Sequence, residues 1–286
     1  MIAKLIIAGI KWTCKVPDAF LNKSILRFSS DFLGNEDINM EIRYTDCFDI
    51  PEGASITDEV LEWYLYKDSH FLYHLLKREE NNGDIIVSMK ANESWSDILI
   101  EIKCDSIISI QMTNILLIEI AFRNHLHFHE GLVIHSSAIE YKGDAIAFAA
   151  PSGTGKSTHV RLWQETYDVR VINDDHPAVR IIDGKPIIFG SPWAGEANKF
   201  NNISSALKGI VILEQGDSNK IWRLNNIEIL RELLPRCFLP YYSNGIMMRA
   251  LRIFNELVNN ITVYKLTCKP EKEAVMLVKN NVWPNE

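Results

Sequence analysis

The stretch AIAFAAPSGTGKSTHVRLW, residues 145–163, decides how the chain is read. AIAFAA (145–150) has the small and apolar residues of a buried strand, and STHVRLWQETY (157–167) has helical spacing. Between them lie Ser152, Gly153, Thr154, Gly155, Lys156 and Ser157, followed by Thr158. A strand that runs through a glycine-rich turn into a helix is the setting in which the pattern G-x-x-x-x-G-K-[ST] cradles phosphate. Gly153 and Gly155 let the backbone curl so that several N–H groups point inward, and the helix adds the positive end of its dipole. Lys156 supplies a point charge for the β- and γ-phosphates, and the Ser157 hydroxyl is a natural Mg2+ ligand. Ala150 stands where the pattern has its first glycine, a mild replacement as long as the position does not require positive φ. Residues 152–158 are therefore the expected nucleotide-phosphate site.

Downstream, VRVIN (169–173) reads as the next strand and ends at Asp174-Asp175-His176. Two adjacent carboxylates beside a phosphate loop divide the labour. One reaches Mg2+, and the other accepts a proton from an attacking hydroxyl. Asp174 is the favoured proton acceptor, and Asp175 joins Ser157 at the metal. Upstream, GLVIHSSAIEY (131–141) reads as one strand carrying His135, and KGD (142–144) as the turn into the loop-bearing strand. A hairpin over 177–190 leads to SPWAGE (191–196), where Trp193, Gly195 and Glu196 are candidates for substrate contact. Arg180 and Arg236 are candidate anion contacts. His125, His127 and His129 have no third ligand at metal-binding spacing and are not expected to hold a metal.

The wider chain sets bounds. Its 286 residues, 47% hydrophobic and 23% charged, suit a globular protein with one main and one smaller domain. A net charge of −7 argues against a general nucleic-acid binder. Five cysteines without a CxxC pair argue for a reducing, cytoplasmic setting rather than a disulfide framework. MIAKLIIAGIKW is expected to be a first strand, its apolar run being too short for a membrane span, and no membrane partner is expected. Residues 1–95 read as a smaller β-rich domain with a role in acceptor recognition, although DEVLEWYLYKDSHFLYHLLKREE (58–80) has partly helical spacing. Residues 96–286 read as the α/β catalytic domain. Helical spacing runs through Ile107, Ile108, Met112, Ile115, Leu116 and Ile120, and a closing helix over 270–280 has Pro270 in its first turn. Trp12, Trp63, Trp95 and Trp222 follow no pattern and are expected in the core.

The order of these motifs resembles the HPr kinase/phosphorylase family and the related nucleotide domain of ATP-dependent phosphoenolpyruvate carboxykinase. A hairpin feeds SGTGKS, and Asn173-Asp174-Asp175 follows one helix later. The resemblance implies a mixed sheet, ATP and Mg2+ as cofactors, and assembly into a homo-oligomer. It also implies an active-site role for His135, which falls where HPr kinases have a histidine. It covers residues 130–200 best, and the family's C-terminal partner-recognition signature is absent. The expected activity is transfer of the γ-phosphate to a hydroxyl of a small molecule or Ser-containing peptide. The donor is left open among ATP, GTP and pyrophosphate. The rival reading is a non-catalytic nucleotide sensor that binds a peptide, which the acidic pair disfavours.

Overall fold

The computed structural model describes residues 1–18, 20–48, 55–60, 63–67, 73–78, 84–104 and 116–284. The chain divides into two compact units, one of residues 1–128 with 241–244 and one of residues 129–240 with 245–286.

The first unit is built on an eight-stranded sheet of β1 (Ile2–Ile7), β2 (Ile10–Lys15), β3 (Ile38–Thr45), β4 (Ser55–Val60), β5 (Trp63–Lys67), β6 (Tyr73–Arg78), β7 (Ile85–Ala91) and β8 (Asp97–Lys103). The order is β1-β2-β3-β8-β7-β6-β5-β4, with β3 parallel to both its neighbours and the other pairs antiparallel. Helices α1 (Lys23–Leu26) and α2 (Ile118–Leu126) accompany it. The unit extends past residue 95 because β8 is an interior strand and Phe122 of α2 packs its ring 6.2 Å from Trp12. MIAKLIIAGIKW is a hairpin rather than one strand, turning at Ala8 and Gly9 with φ of 51° and 76°. Ala-Gly lacks the Asn or Asp that usually announces such a turn. Strands β4 to β6 occupy the segment read as partly helical, where the aromatic run WYLY favours a strand. Ile107, Ile108, Met112 and Ile115, and Trp63 as a side chain, lie outside the described residues, as does most of the 80–84 turn. Trp12 and Trp95 are buried.

The second unit contains β9 (Gly131–Val133), β10 (Ser136–Tyr141), β11 (Asp144–Ala149), α3 (Lys156–Thr166), β12 (Arg170–Asn173), β13 (Ala178–Ile182), β14 (Lys185–Phe189), β15 (Ser204–Gln215), β16 (Lys220–Arg223), α4 (Asn226–Glu232), α5 (Asn244–Asn260), β17 (Thr262–Cys268) and α6 (Lys272–Val282). Its nine strands form one mixed sheet, ordered β12-β10-β11-β15-β14-β13-β9, with β17 parallel to β15 and β16 antiparallel to β17. The alternation in AIAFAA shows why both faces are covered. Ala145, Ala147 and Ala149 pack with Ile229 of α4 and Ile253, Phe254 and Leu257 of α5. Ile146, Phe148 and Ala150 pack with Val160, Leu162 and Trp163 of α3 and Ala274, Val275 and Val278 of α6. Successive strand residues point to opposite faces, so Ala145, Ala147 and Ala149 meet one helical layer and Ile146, Phe148 and Ala150 the other. Full burial of a side chain such as Phe148 contributes about 1.5–3 kcal/mol.

GLVIHSSAIEY, read as one strand, is two. Val133 pairs with Ala178 of β13, whereas Ser136 pairs with Ala149 of β11. The chain changes neighbours at His135, whose N–H donates to the Arg236 carbonyl at 2.7 Å. The closing helix begins at Lys272 after an N-cap at Glu271, so Pro270 precedes the cap instead of entering the first turn. Trp222 is 40% exposed rather than part of the core. No disulfide links the five cysteines, and no described helix is long and apolar enough to cross a membrane.

His159 links the loop-bearing strand to α3. Its ring lies 4.7 Å from that of Phe148, and its Nε2 accepts a hydrogen bond from the Trp163 indole N–H at 3.2 Å. Burial pushes its pKa down to about 4, against 6.5 in an exposed chain. Below 6.5 the unfolded chain takes up a proton that the folded chain refuses. The stability held by neutral His159 is therefore whole above 6.5 and is lost as pH falls towards 4, in total about 3 kcal/mol. Urea unfolding between pH 7 and 4 should show this loss, and His159→Gln, which keeps an acceptor but does not titrate, should show a shallower slope. Equal slopes for the two proteins would contradict the assignment.

Candidate functional site

The loop after β11 has the conformation its glycines permit. Gly153 and Gly155 have φ of 77° and 106°, in the left-handed region where a side chain is strained. Gly155 is the N-cap of α3, and the first helical bond runs from the His159 N–H to the Gly155 carbonyl at 2.9 Å. The N–H groups of Lys156, Ser157 and Thr158 belong to the first turn, where no intrahelical acceptor exists. Ala150 is not in the left-handed region and is fully buried in the α3-side core, so alanine serves where the motif usually has glycine.

Lys156 is buried against this loop. Its Nζ lies 2.9 Å from His135 Nε2, 3.4 Å from the Ala150 carbonyl and 4.0 Å from Asp175 Oδ1. Desolvation lowers its pKa, Asp175 partly opposes that, and the nearby Arg236 charge lowers it further. Asp175 faces His135 Nε2 at 3.0 Å and His176 Nε2 at 3.2 Å. Burial raises the pKa of its carboxyl, but the His135 hydrogen bond and the charges of His176, His135 and Lys156 outweigh it and hold the group below the usual carboxylate range. One nitrogen thus receives two opposite demands. The Lys156 ammonium has only protons to give and needs Nε2 bare, whereas the Asp175 carboxylate needs it protonated.

The acidic pair has an asymmetry that the sequence does not announce. Both oxygens of the buried Asp174 accept backbone N–H groups, from Gly195 at 2.8 Å and Lys199 at 3.0 Å. Asp174 therefore anchors the loop after β14, while Asp175 faces the charged groups. Asn173, which the sequence gives only as the neighbour of the acidic pair, holds the turn. Fully buried, it accepts from the Asp175 and His176 N–H groups at 2.8 and 2.7 Å. Its amide nitrogen donates to the Ser191 and Trp193 carbonyls at 3.1 and 3.0 Å. An Asn at a strand end before a turn is the available sequence signal, because its side chain bonds backbone two and three residues on. The turn is also tied to β10, through the Ser136 N–H to the Asp175 carbonyl at 2.9 Å and the Ser137 hydroxyl to the Asp174 carbonyl at 2.7 Å.

Three cavities meet at the phosphate loop. One of about 680 Å³ brings together His135, Ser152, Gly153, Gly155, Lys156, Ser157, Thr158, Asp174, Asp175, Gly195 and Glu196. A second, about 710 Å³, shares Gly153, Gly155 and Thr158 with it and is walled by Leu162, Leu213 and Pro270. The third, about 410 Å³, reaches from Ser152 and Thr154 to Arg236 and Lys265. Arg180 and Trp193 line none of the three. The Arg180 Nε donates to the His129 carbonyl at 2.9 Å, and Trp193 is buried, meeting Asn173 through its carbonyl. Gly195 comes so close that an added Cβ would lie 3.3 Å from that of Asp175.

The oxygen set fits Mg2+. The Ser157 hydroxyl and two carboxylates open on one cavity, and Mg2+ commonly takes one or two protein oxygens and completes its shell with phosphates and water. No protein-family model and no curated protein matches the chain. Among solved structures it is similar to the Hpr(Ser) kinase/phosphatase from Coxiella burnetii, at 9% identity and a TM-score of 0.29 over 52% of this chain and 95% of that one. A likeness of that size fixes neither residue roles nor substrate.

Asn173 offers a direct check on the geometry. Asn173→Ala leaves buried N–H and carbonyl groups unpaired and should cost about 1–3 kcal/mol in chemical denaturation. It should also release the 191–199 loop, seen as faster amide exchange at Gly195 and Lys199. Unchanged stability and exchange would show that Asn173 does not hold the turn.

Proposed function

We propose that the second unit is a phosphotransferase that uses Mg2+·ATP to phosphorylate a hydroxyl of a small molecule or a Ser-containing peptide. One observation carries the proposal: the ammonium of Lys156, at a helix-capping loop with two left-handed glycines, stands 4.0 Å from an ionised carboxylate, Asp175. The loop N–H groups and Lys156 receive the donor's phosphates, and the apolar wall of the 710 Å³ cavity receives its nucleoside. The acceptor enters the 680 Å³ cavity, where Glu196 is exposed at the rim.

Asp175 is the proton acceptor and Asp174 the structural partner, the reverse of the sequence expectation. Both Asp174 oxygens are taken up by the backbone N–H groups of the loop they anchor, although each keeps a lone pair with which it can join Ser157 in holding Mg2+. When bound, Mg2+ neutralises phosphate charge and keeps the phosphate oxygens in place. The acceptor oxygen bonds to the γ-phosphorus as its proton passes to Asp175. The bond from that phosphorus to the β–γ bridging oxygen breaks, and ADP leaves. Lys156, drawn to the phosphates, lets go of His135, whose Nε2 is then free to donate to Asp175 and orient it. Positioning and charge neutralisation account for most of the rate in such transfers.

Turnover of γ-labelled ATP against free serine, threonine, sugars and Ser-containing peptides tests the proposal. Asp175→Asn should lower turnover about 10²–10⁴-fold, as expected for loss of a general base. Lys156→Ala should abolish it with the fold intact. Because the Asp175 carboxyl is held below the usual carboxylate range, the base stays ionised as pH falls through that range. The acid limb of the rate should therefore lie below about pH 4. Undiminished turnover by either variant would contradict the proposal.

A further inference from the structure

The 410 Å³ cavity lies along the loop on the side that the mechanism above leaves unused. It is lined by Pro151 to Thr154, the end of β15 from Ile212 to Gln215, Glu232, Lys265 and Arg236. Its two cations differ. Lys265 is neutralised by Glu214 at 3.1 Å and Glu232 at 3.6 Å. Arg236 is not. Its Nε is buried with no hydrogen-bond partner, and among the described residues its guanidinium meets no carboxylate. A guanidinium has five donors in a planar fork that fits an oxyanion, and a buried N–H without an acceptor is costly.

The backbone explains why that charge is where it is. Ile134 and Cys237 form an antiparallel bridge, and the His135 N–H donates to the Arg236 carbonyl at 2.7 Å. His135 and Arg236 are thus neighbours across the bridge, one on the cavity of the aspartates and the other on the cavity behind the loop. The Arg236 charge is felt at Lys156, where it opposes a second positive charge. Two cations flanking one loop, with only Lys156 near a carboxylate, call for two anions.

Resting on the kinase reading, we propose that this cavity is a second oxyanion site, which holds a phosphate or carboxylate carried by the acceptor while the loop holds the donor's phosphates. The acceptor class is then a hydroxyl compound with an anionic group of its own, not a neutral sugar. The chemistry is the fork of Arg236 against two oxygens, with the Ser152 hydroxyl at the same wall.

The test is calorimetric titration of inorganic phosphate into the full chain saturated with Mg2+ and a non-hydrolysable ATP analogue. The expected result is saturable phosphate binding alongside the analogue. Arg236→Gln should weaken it at least about tenfold, the scale of one lost charge-assisted hydrogen bond, while analogue affinity changes less than about twofold. Arg236→Lys, which keeps the charge without the fork, should fall between the two. Phosphate that only displaces the analogue would mean that Arg236 serves the donor, and would overturn the proposal. Phosphate binding unchanged in Arg236→Gln, or absent from the wild type, would overturn it as well. Failure of the analogue to bind would count against the kinase reading instead. The phosphate titration of nucleotide-free wild type and Arg236→Gln would then still decide the cavity, by whether the variant loses a site.

Discussion

Lys156 is the residue on which the second unit turns. An ammonium at the first turn of α3 stands where the helix dipole is positive, partly out of water, and the Arg236 charge presses on it. Anions relieve that position, and among the described residues the carboxylate paired with it is Asp175, at the long distance of 4.0 Å. The 2.9 Å contact to His135 Nε2 is a substitute that conflicts with the hydrogen bond Asp175 requires of the same atom. On the proposed function, a phosphate on the loop would remove the conflict by giving the ammonium its anion and the carboxylate its histidine, so that binding the donor and preparing the base would become one event.

The sheet makes this arrangement rigid. β10 lies between β11, which leads into the loop, and β12, which ends at the acidic pair. Its first residues hold the pair directly, through the Ser136 N–H and the Ser137 hydroxyl. Asn173 then ties the pair to the 191–193 segment, and Asp174 ties the loop beyond it. The acidic pair is thus held by a neighbouring strand, which suits the close positioning that the proposed transfer requires. The helices on both faces exclude water from the strands that carry these contacts.

Much of this was legible in the chain because local rules governed it. The strand, loop and helix around SGTGKS follow from glycine conformational freedom and from alternation, and the 177–190 hairpin from its Asp-Gly turn. The break at His135 was not legible. GLVIHSSAIEY has an unbroken strand pattern, and only the change of partner from β13 to β11 splits it. The division of the aspartates was likewise set by tertiary contacts, because the N–H groups that occupy Asp174 belong to residues 195 and 199. Arg236 was recognisable as a charge but not as the neighbour of His135, since the bridge between them joins distant parts of the sequence. The β1–β2 hairpin carries no sequence signal because Ala8 adopts positive φ, a conformation alanine seldom takes.

The most direct measurement is the protonation of His135 Nε2, followed by nitrogen-15 NMR as Mg2+ and a non-hydrolysable ATP analogue are added. The account predicts that saturation shifts His135 to the form protonated at Nε2, as Lys156 leaves for the phosphates, and that Lys156→Ala holds this form before any nucleotide is added. A His135 signal that stays unchanged while the analogue binds would contradict it, because the loop would then hold nucleotide without releasing Lys156.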